Sequence, residues 1–245
     1  MKIITVALFT LVVAIGCHPG PTPETGMAAL RVKVIAEPKT GVQPPPVAVS
    51  THDTPADQGY GPHARVDYSQ LDNIVIWVEP APGAGPAKAP APAPMNLTVD
   101  PQKSSHGIDA VVSVGQKLVL RNAGAKAQSI YSVSDGNDFE LSSVPASGSA
   151  EYAVRSAGLI EIFADSSKDI AVQLFATPTP WAQIGRSGQT LDFNNIPPGH
   201  YQLVSWHPRL PGSTEPVELT ADHVTDASIK VGVNSLPKVT ADASR

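Results

Sequence analysis

The sequence predicts an all-β chain built from two β-sandwich units, and three observations carry that reading. First, the 245 residues include 25 Pro and 19 Gly, so turn formers recur between short apolar runs. Second, strand-like segments follow one another at regular spacing over 97–99, 110–114, 117–121, 129–133, 150–154, 159–163 and 170–175. Gly115, Asn122-Ala123-Gly124, Asp135-Gly136, Gly148 and Gly158 punctuate them, as expected of a sandwich. Third, a Pro/Ala tract over 80–94 behaves as an extended, semi-rigid spacer and parts these strands from the earlier ones.

Taken in order, the chain opens on a targeting pattern. Lys2 precedes a continuous apolar run over 3–15, too short to span a bilayer comfortably, and Gly16-Cys17 follow. This resembles a bacterial lipoprotein signal over 1–17, in which Cys17 becomes the lipidated first residue. Cys17 is the only cysteine, so no disulfide forms within the chain, and once it is lipidated no thiolate is left for a metal. His18 stands where an inner-membrane retention signal shows Asp. The resemblance therefore implies a lipid-anchored cell-envelope protein, on the outer membrane if the host has two, facing periplasm or surface. Residues 18–29, rich in Pro, Thr and Gly, read as a flexible tether.

Residues 30–36 alternate Leu30, Val32 and Val34 with Arg31 and Lys33, a half-buried strand. A polar, Pro-rich excursion over 37–70 follows; its His52, Asp53 and His63 match no metal-ligand spacing and read as a solvated loop. Residues 74–78 (IVIWV) are apolar throughout, the pattern of a central strand covered on both faces. Beyond Thr177-Pro178 come strands over 190–193, 201–206, 217–220 and 227–233, then a polar tail over 234–245. The step Ile196-Pro197-Pro198-Gly199 forces a tight turn that returns Tyr201 and Leu203 to one face.

Two resemblances follow from these motifs. Gly188, Leu191, Phe193, Ile196, Pro197, Pro198, Gly199, Tyr201 and Leu203 resemble the signature of the transthyretin-like, or carboxypeptidase-regulatory-like, sandwich. Residues 114–141, with a strand closed by Asn122 and a second strand ahead of Asp135-Gly136, resemble the heart of a cupredoxin. With the Trp206-His207 ending, the whole resembles exported cupredoxin-like or methylamine-utilisation-like proteins. The transthyretin-like fold supplies a strand pair ahead of its signature. The expected division is therefore a discontinuous transthyretin-like sandwich, 30–80 plus 177–233, with a connector over 81–96 and a cupredoxin-like unit, 97–176, inserted in or adjacent to it. Residues 74–78 are expected to pair with or pack against 201–206.

The cupredoxin resemblance implies a copper site of two imidazoles, one thiolate and a weak axial Met. Here Gln128 stands in place of the first His, Phe163 of the Cys, Ser166 of the second His and Asp169 of the Met. All four ligands are missing, so no cofactor is expected, and Gln128 and Phe163 are expected to fill the vacated space as core. His200 and His207 remain as a possible weak metal pair. No G-x-S-x-G, H-E-x-x-H, P-loop or C-x-x-C is present, so no enzyme is expected. The net charge of -5 gives no basis for nucleic-acid binding. The leading expectation is a non-catalytic, metal-free envelope scaffold, anchored to the membrane and partnered by an envelope protein or polymer. A copper-binding or electron-transfer protein is the first alternative. A carbohydrate- or polymer-binding module stacking sugars on Trp77, Trp181 or Trp206 is the second.

Overall fold

The structure is a computed structural model, and it describes residues 20–38, 67–85 and 88–235. Cys17, His52, Asp53, His63 and the 236–245 part of the tail lie outside the described residues. The described chain is all-β, with fifteen strands in four sheets. They are β1 (Ala28–Ala36), β2 (Ile74–Pro80), β3 (Met95–Val99), β4 (Ala110–Ser113), β5 (Lys117–Asn122), β6 (Gln128–Ser134), β7 (Asn137–Val144) and β8 (Ser149–Ala153). There follow β9 (Gly158–Ala164), β10 (Ile170–Thr177), β11 (Ala182–Gly185), β12 (Thr190–Ile196), β13 (Gly199–Trp206), β14 (Thr214–Leu219) and β15 (Val224–Val231).

Two sheets, ordered β12-β1-β15 and β11-β2-β13-β14, enclose one core. The alternation read in β1 puts Leu30, Val32 and Val34 into it, each with no exposed surface. β2 pairs antiparallel with β13, Val78 opposite Leu203 and Trp77 opposite Val204, the partner expected for residues 74–78. The turn into β13 is built from local chemistry. Asn195 takes a φ of 57° and Gly199 a φ of 153°, conformations that a bulky side chain resists. The Tyr201 hydroxyl then donates to the Pro197 carbonyl at 2.8 Å across the Pro pair.

A second pair of sheets, β4-β10-β9-β6-β7 and β3-β5-β8, encloses another core, with Leu118, Leu120, Ile130, Ile160, Ile162 and Leu174 fully buried. The pairs β3/β5 and β4/β10 are parallel, while the other pairings are antiparallel. The Asp135-Gly136 turn closes the β6–β7 hairpin with Gly136 at a φ of 66°. Asn137 then locks it: its Oδ1 accepts from the Tyr152 hydroxyl at 3.1 Å and the Arg155 amide at 2.9 Å.

The two layer pairs meet along an apolar seam, which explains the unbroken run in β2. Ile74, Ile76 and Val78 point into the first core, whereas Val75 and Trp77 face Ile108, Val111, Leu159 and Phe175. Phe175 packs against two indoles, 5.7 Å from the Trp77 ring and 4.4 Å from Trp206. Polar contacts pin the seam: the Asn73 side chain accepts from the Ile108 amide at 2.8 Å, and the Thr179 hydroxyl donates to the Val78 carbonyl of β2.

The expected tether over 18–29 is corrected at its end: Ala28 and Ala29 are fully buried in β1, and the Glu24 and Gly26 amides donate to Asn195 and Asp222 side chains. Two further strands differ from the sequence reading. β7 (NDFELSSV) is an edge strand whose outward residues are Asp, Glu and Ser, so its apolar signal is confined to Phe139, Leu141 and Val144. β11 spans four residues with one large apolar side chain, and its pairing with β2 creates it rather than any local pattern.

Candidate functional site

β5, β6 and β9 deliver the residues at the position where the cupredoxin resemblance places copper. Asn122, the last residue of β5, has no exposed surface, and Gln128 opens β6 at 5% exposure. The Gln128 Nε2 donates to Asn122 Oδ1 at 2.6 Å, and Gln128 Oε1 accepts from the Ser166 hydroxyl at 2.7 Å. Asn122 Oδ1 also accepts the Gly124 amide at 2.7 Å. Its Nδ2 lies within reach of three carbonyls, those of Lys126 at 2.9 Å, Val144 at 2.9 Å and Pro145 at 3.2 Å. The loop between β5 and β6 is drawn tightly over this pair: a Cβ at Gly124 would stand 3.0 Å from Asn122 Oδ1 and 3.4 Å from Gln128 Nε2.

The four positions read from the resemblance do not converge. Gln128 and Ser166 meet, as described. Phe163, expected to share core space with Gln128, instead points to the outer face of its sheet. It pairs with Tyr131 across the strands, their rings stacked at 5.5 Å. The cause is strand alternation: Ile160, Ile162 and Ala164 of β9 take the inward places, so Phe163 is necessarily outward. Asp169 is exposed, its Oδ2 accepting from Ser104 Oγ at 3.0 Å.

A joint site for His200 and His207 is corrected by the fold. His200 is exposed near the start of β13 and His207 follows its end, so the strand separates them by roughly 20 Å at about 3.3 Å per residue. His207 is buried, its Nδ1 accepting the Arg209 amide at 3.1 Å. Burial first, then the Arg209 charge, hold its pKa below the usual histidine value against opposing contributions from Asp72. Among the described residues no group of three or more His, Cys, Asp or Glu side chains is placed to hold a metal ion.

The stacking platform proposed on tryptophan also meets the fold. Trp77 and Trp206 are engaged with Phe175 in the seam, and Trp181 is 7% exposed, packed edge-on against Tyr201.

Tested against copper, the residues present do not fit. A trigonal copper site needs imidazole nitrogens and a thiolate sulfur with lone pairs aimed at one point. Here the groups present are the Gln128 amide, bonded to Asn122, and the Ser166 hydroxyl, which donates to Gln128.

No family model matches the chain, and no curated protein matches it by sequence. Among solved structures, it is similar to a Cu(I) amicyanin variant with one methionine replaced by alanine, at 14% identity and a TM-score of 0.27, covering 34% of this chain and 82% of that one. A second methionine-to-alanine amicyanin variant, also with Cu(I), aligns at 13% identity and a TM-score of 0.26, covering 43% of this chain and 100% of that one.

Proposed function

We propose that this chain is a non-catalytic, metal-free lipoprotein of the cell envelope, in which a cupredoxin-like sandwich that has lost its copper ligands serves as an interaction scaffold. The observation that carries the reading is the closed Asn122–Gln128–Ser166 network. The two buried amides bond to each other, the Ser166 hydroxyl donates to Gln128 from the exposed rim, and together they hold the loop in place without presenting an imidazole or a thiolate. In this reading residues 97–176 are the cupredoxin-like unit. It is carried between the two parts of a transthyretin-like sandwich, 30–80 and 177–233, and the pairing of β1 with β12 and β15 and of β2 with β13 supports that division. Insertion is tolerated where entry and exit lie close together, and the seam around Phe175 makes the two units one packed body.

The test is copper titration of the purified protein. Absence of an intense visible thiolate-to-copper band, together with no stoichiometric copper uptake, is the expected result. A blue protein at one equivalent would overturn the reading and restore the electron-transfer alternative.

A further inference from the structure

The scaffold reading leaves open which surface engages a partner, and the outward side of β9–β6–β7 is distinctive. Val133 is 74% exposed, the highest of the exposed large hydrophobic side chains among the described residues. The strand register places it beside Tyr131 and its stacked neighbour Phe163, all on one face. Across the β6–β7 hairpin, Tyr131 stands opposite Glu140 and Val133 opposite Asp138. Glu161, two residues before Phe163, shares the face, and Asp165 borders it through a hydrogen bond to the Ser129 amide at 3.1 Å. The result is an apolar, aromatic centre rimmed by four carboxylates, over a shallow depression of about 440 Å³ lined in part by Tyr131, Val133, Glu140 and Asp165.

Among the described residues none of those four carboxylates is in an ion pair; the salt bridges there engage Asp192, Glu151 and Glu37 instead. The neighbouring cation, Arg155, is committed elsewhere, its guanidinium 5.5 Å over the Tyr152 ring and touching Asp138 only at the backbone carbonyl. The carboxylates' own bonds are partial: Glu161 accepts from Gln173, Glu140 from Ser142 and Asp165 from Ser129 through one oxygen each. A flat sugar would need an open ring face, but Tyr131 and Phe163 turn faces toward each other with 19° between planes. Unpaired carboxylates around an apolar centre are complementary to ammonium and guanidinium groups on aliphatic stems.

We propose that this face docks a lysine- or arginine-bearing segment of a partner polypeptide, with Tyr131, Val133 and Phe163 covering the aliphatic stems and Glu140, Glu161, Asp138 and Asp165 pairing the charges. The inference rests on the metal-free scaffold reading, whose partner class it names.

The experiment is fluorescence anisotropy of a fluorescein-labelled nona-arginine peptide against the full chain at low salt. Amide chemical-shift mapping of the same mixture accompanies it. Saturable binding is expected, with shifts confined to β6, β7 and β9. The E140Q/E161Q pair should weaken binding at least about tenfold, and E215Q/E218Q on β14, an equal change in net charge, less than about twofold. Equal weakening by both pairs, shifts spread over the surface, or no saturation would each overturn the proposal. So would tight binding of neutral cellohexaose to the same residues. Shift mapping on the unaltered protein keeps the test decisive if a variant fails to fold. Failure of peptide binding in protein that takes up no copper would remove the docking face alone. Stoichiometric copper uptake would overturn the scaffold reading whatever the peptide does.

Discussion

Replacing Asn122 by Ala gives the sharpest test of the network. Asn122 is the hub: its Oδ1 accepts two donors and its two Nδ2 protons are shared among three carbonyls within reach, in a side chain with no exposed surface. Each net hydrogen bond lost is worth about 1 kcal/mol, and a buried group left unpaired costs about 1–3 kcal/mol. The Val144 carbonyl and Gln128 Nε2 are the groups stranded inside, whereas Gly124 and Lys126 sit in a loop that water can reach. The expected loss is therefore about 3–5 kcal/mol. Gln128→Ala leaves the Asn122 hub standing and should cost about 1–3 kcal/mol. Because the two amides touch at 2.6 Å, a double-mutant cycle should return a coupling of about 1–2 kcal/mol. The chain's three tryptophans, Trp77, Trp181 and Trp206, all lie outside β3–β10, so emission alone does not follow this sandwich. Urea unfolding followed by far-ultraviolet circular dichroism, with hydrogen exchange at the Gly124 amide, does. A loss below about 1 kcal/mol for Asn122→Ala, or additive effects in the cycle, would refute the reasoning that this network closes the site.

Phe175→Ala should cost about 3–5 kcal/mol by the usual large-to-small penalty and red-shift native tryptophan emission, since Phe175 packs against both the Trp77 and Trp206 rings; an unchanged spectrum and midpoint would contradict the seam. His207 has a folded pKa below its ordinary value, so the unfolded chain binds its proton first as pH falls. Its contribution should be intact above about pH 6.5 and lost as pH drops from there toward the folded pKa. Urea midpoints at neutral and mildly acidic pH should show that loss in the unaltered protein and a smaller one in His207→Gln. On the proposed lipoprotein reading, Cys17→Ser should move the protein from the membrane to the soluble fraction after a salt wash, since the anchor would be acyl-chain burial at about 0.8 kcal/mol per methylene; retention of the variant on membranes would place the anchor elsewhere.

Much of the fold was legible in the pattern of side chains. The apolar run over 74–78 required cover on both faces, and β2 has it from the first core and from the seam. The Pro-Pro-Gly step set the turn into β13, because proline and glycine restrict or extend backbone freedom whatever surrounds them. Asn122 was readable as the residue closing its strand. Less legible were β7 and β11, a polar edge and a strand of four residues, which exist because a partner strand holds them.

What the sequence by itself determined is the set of local preferences: where strands run, where they turn, and that no thiolate or imidazole occupies the positions the resemblance assigns to copper. Only the tertiary structure decided which of those positions meet. Strand alternation sent Phe163 outward to Tyr131 while Gln128 turned in to Asn122, and the length of β13 put His200 and His207 at opposite ends. Proximity between residues distant in sequence follows from register and sheet stacking, and both are settled by burial summed over the whole chain rather than by any one segment.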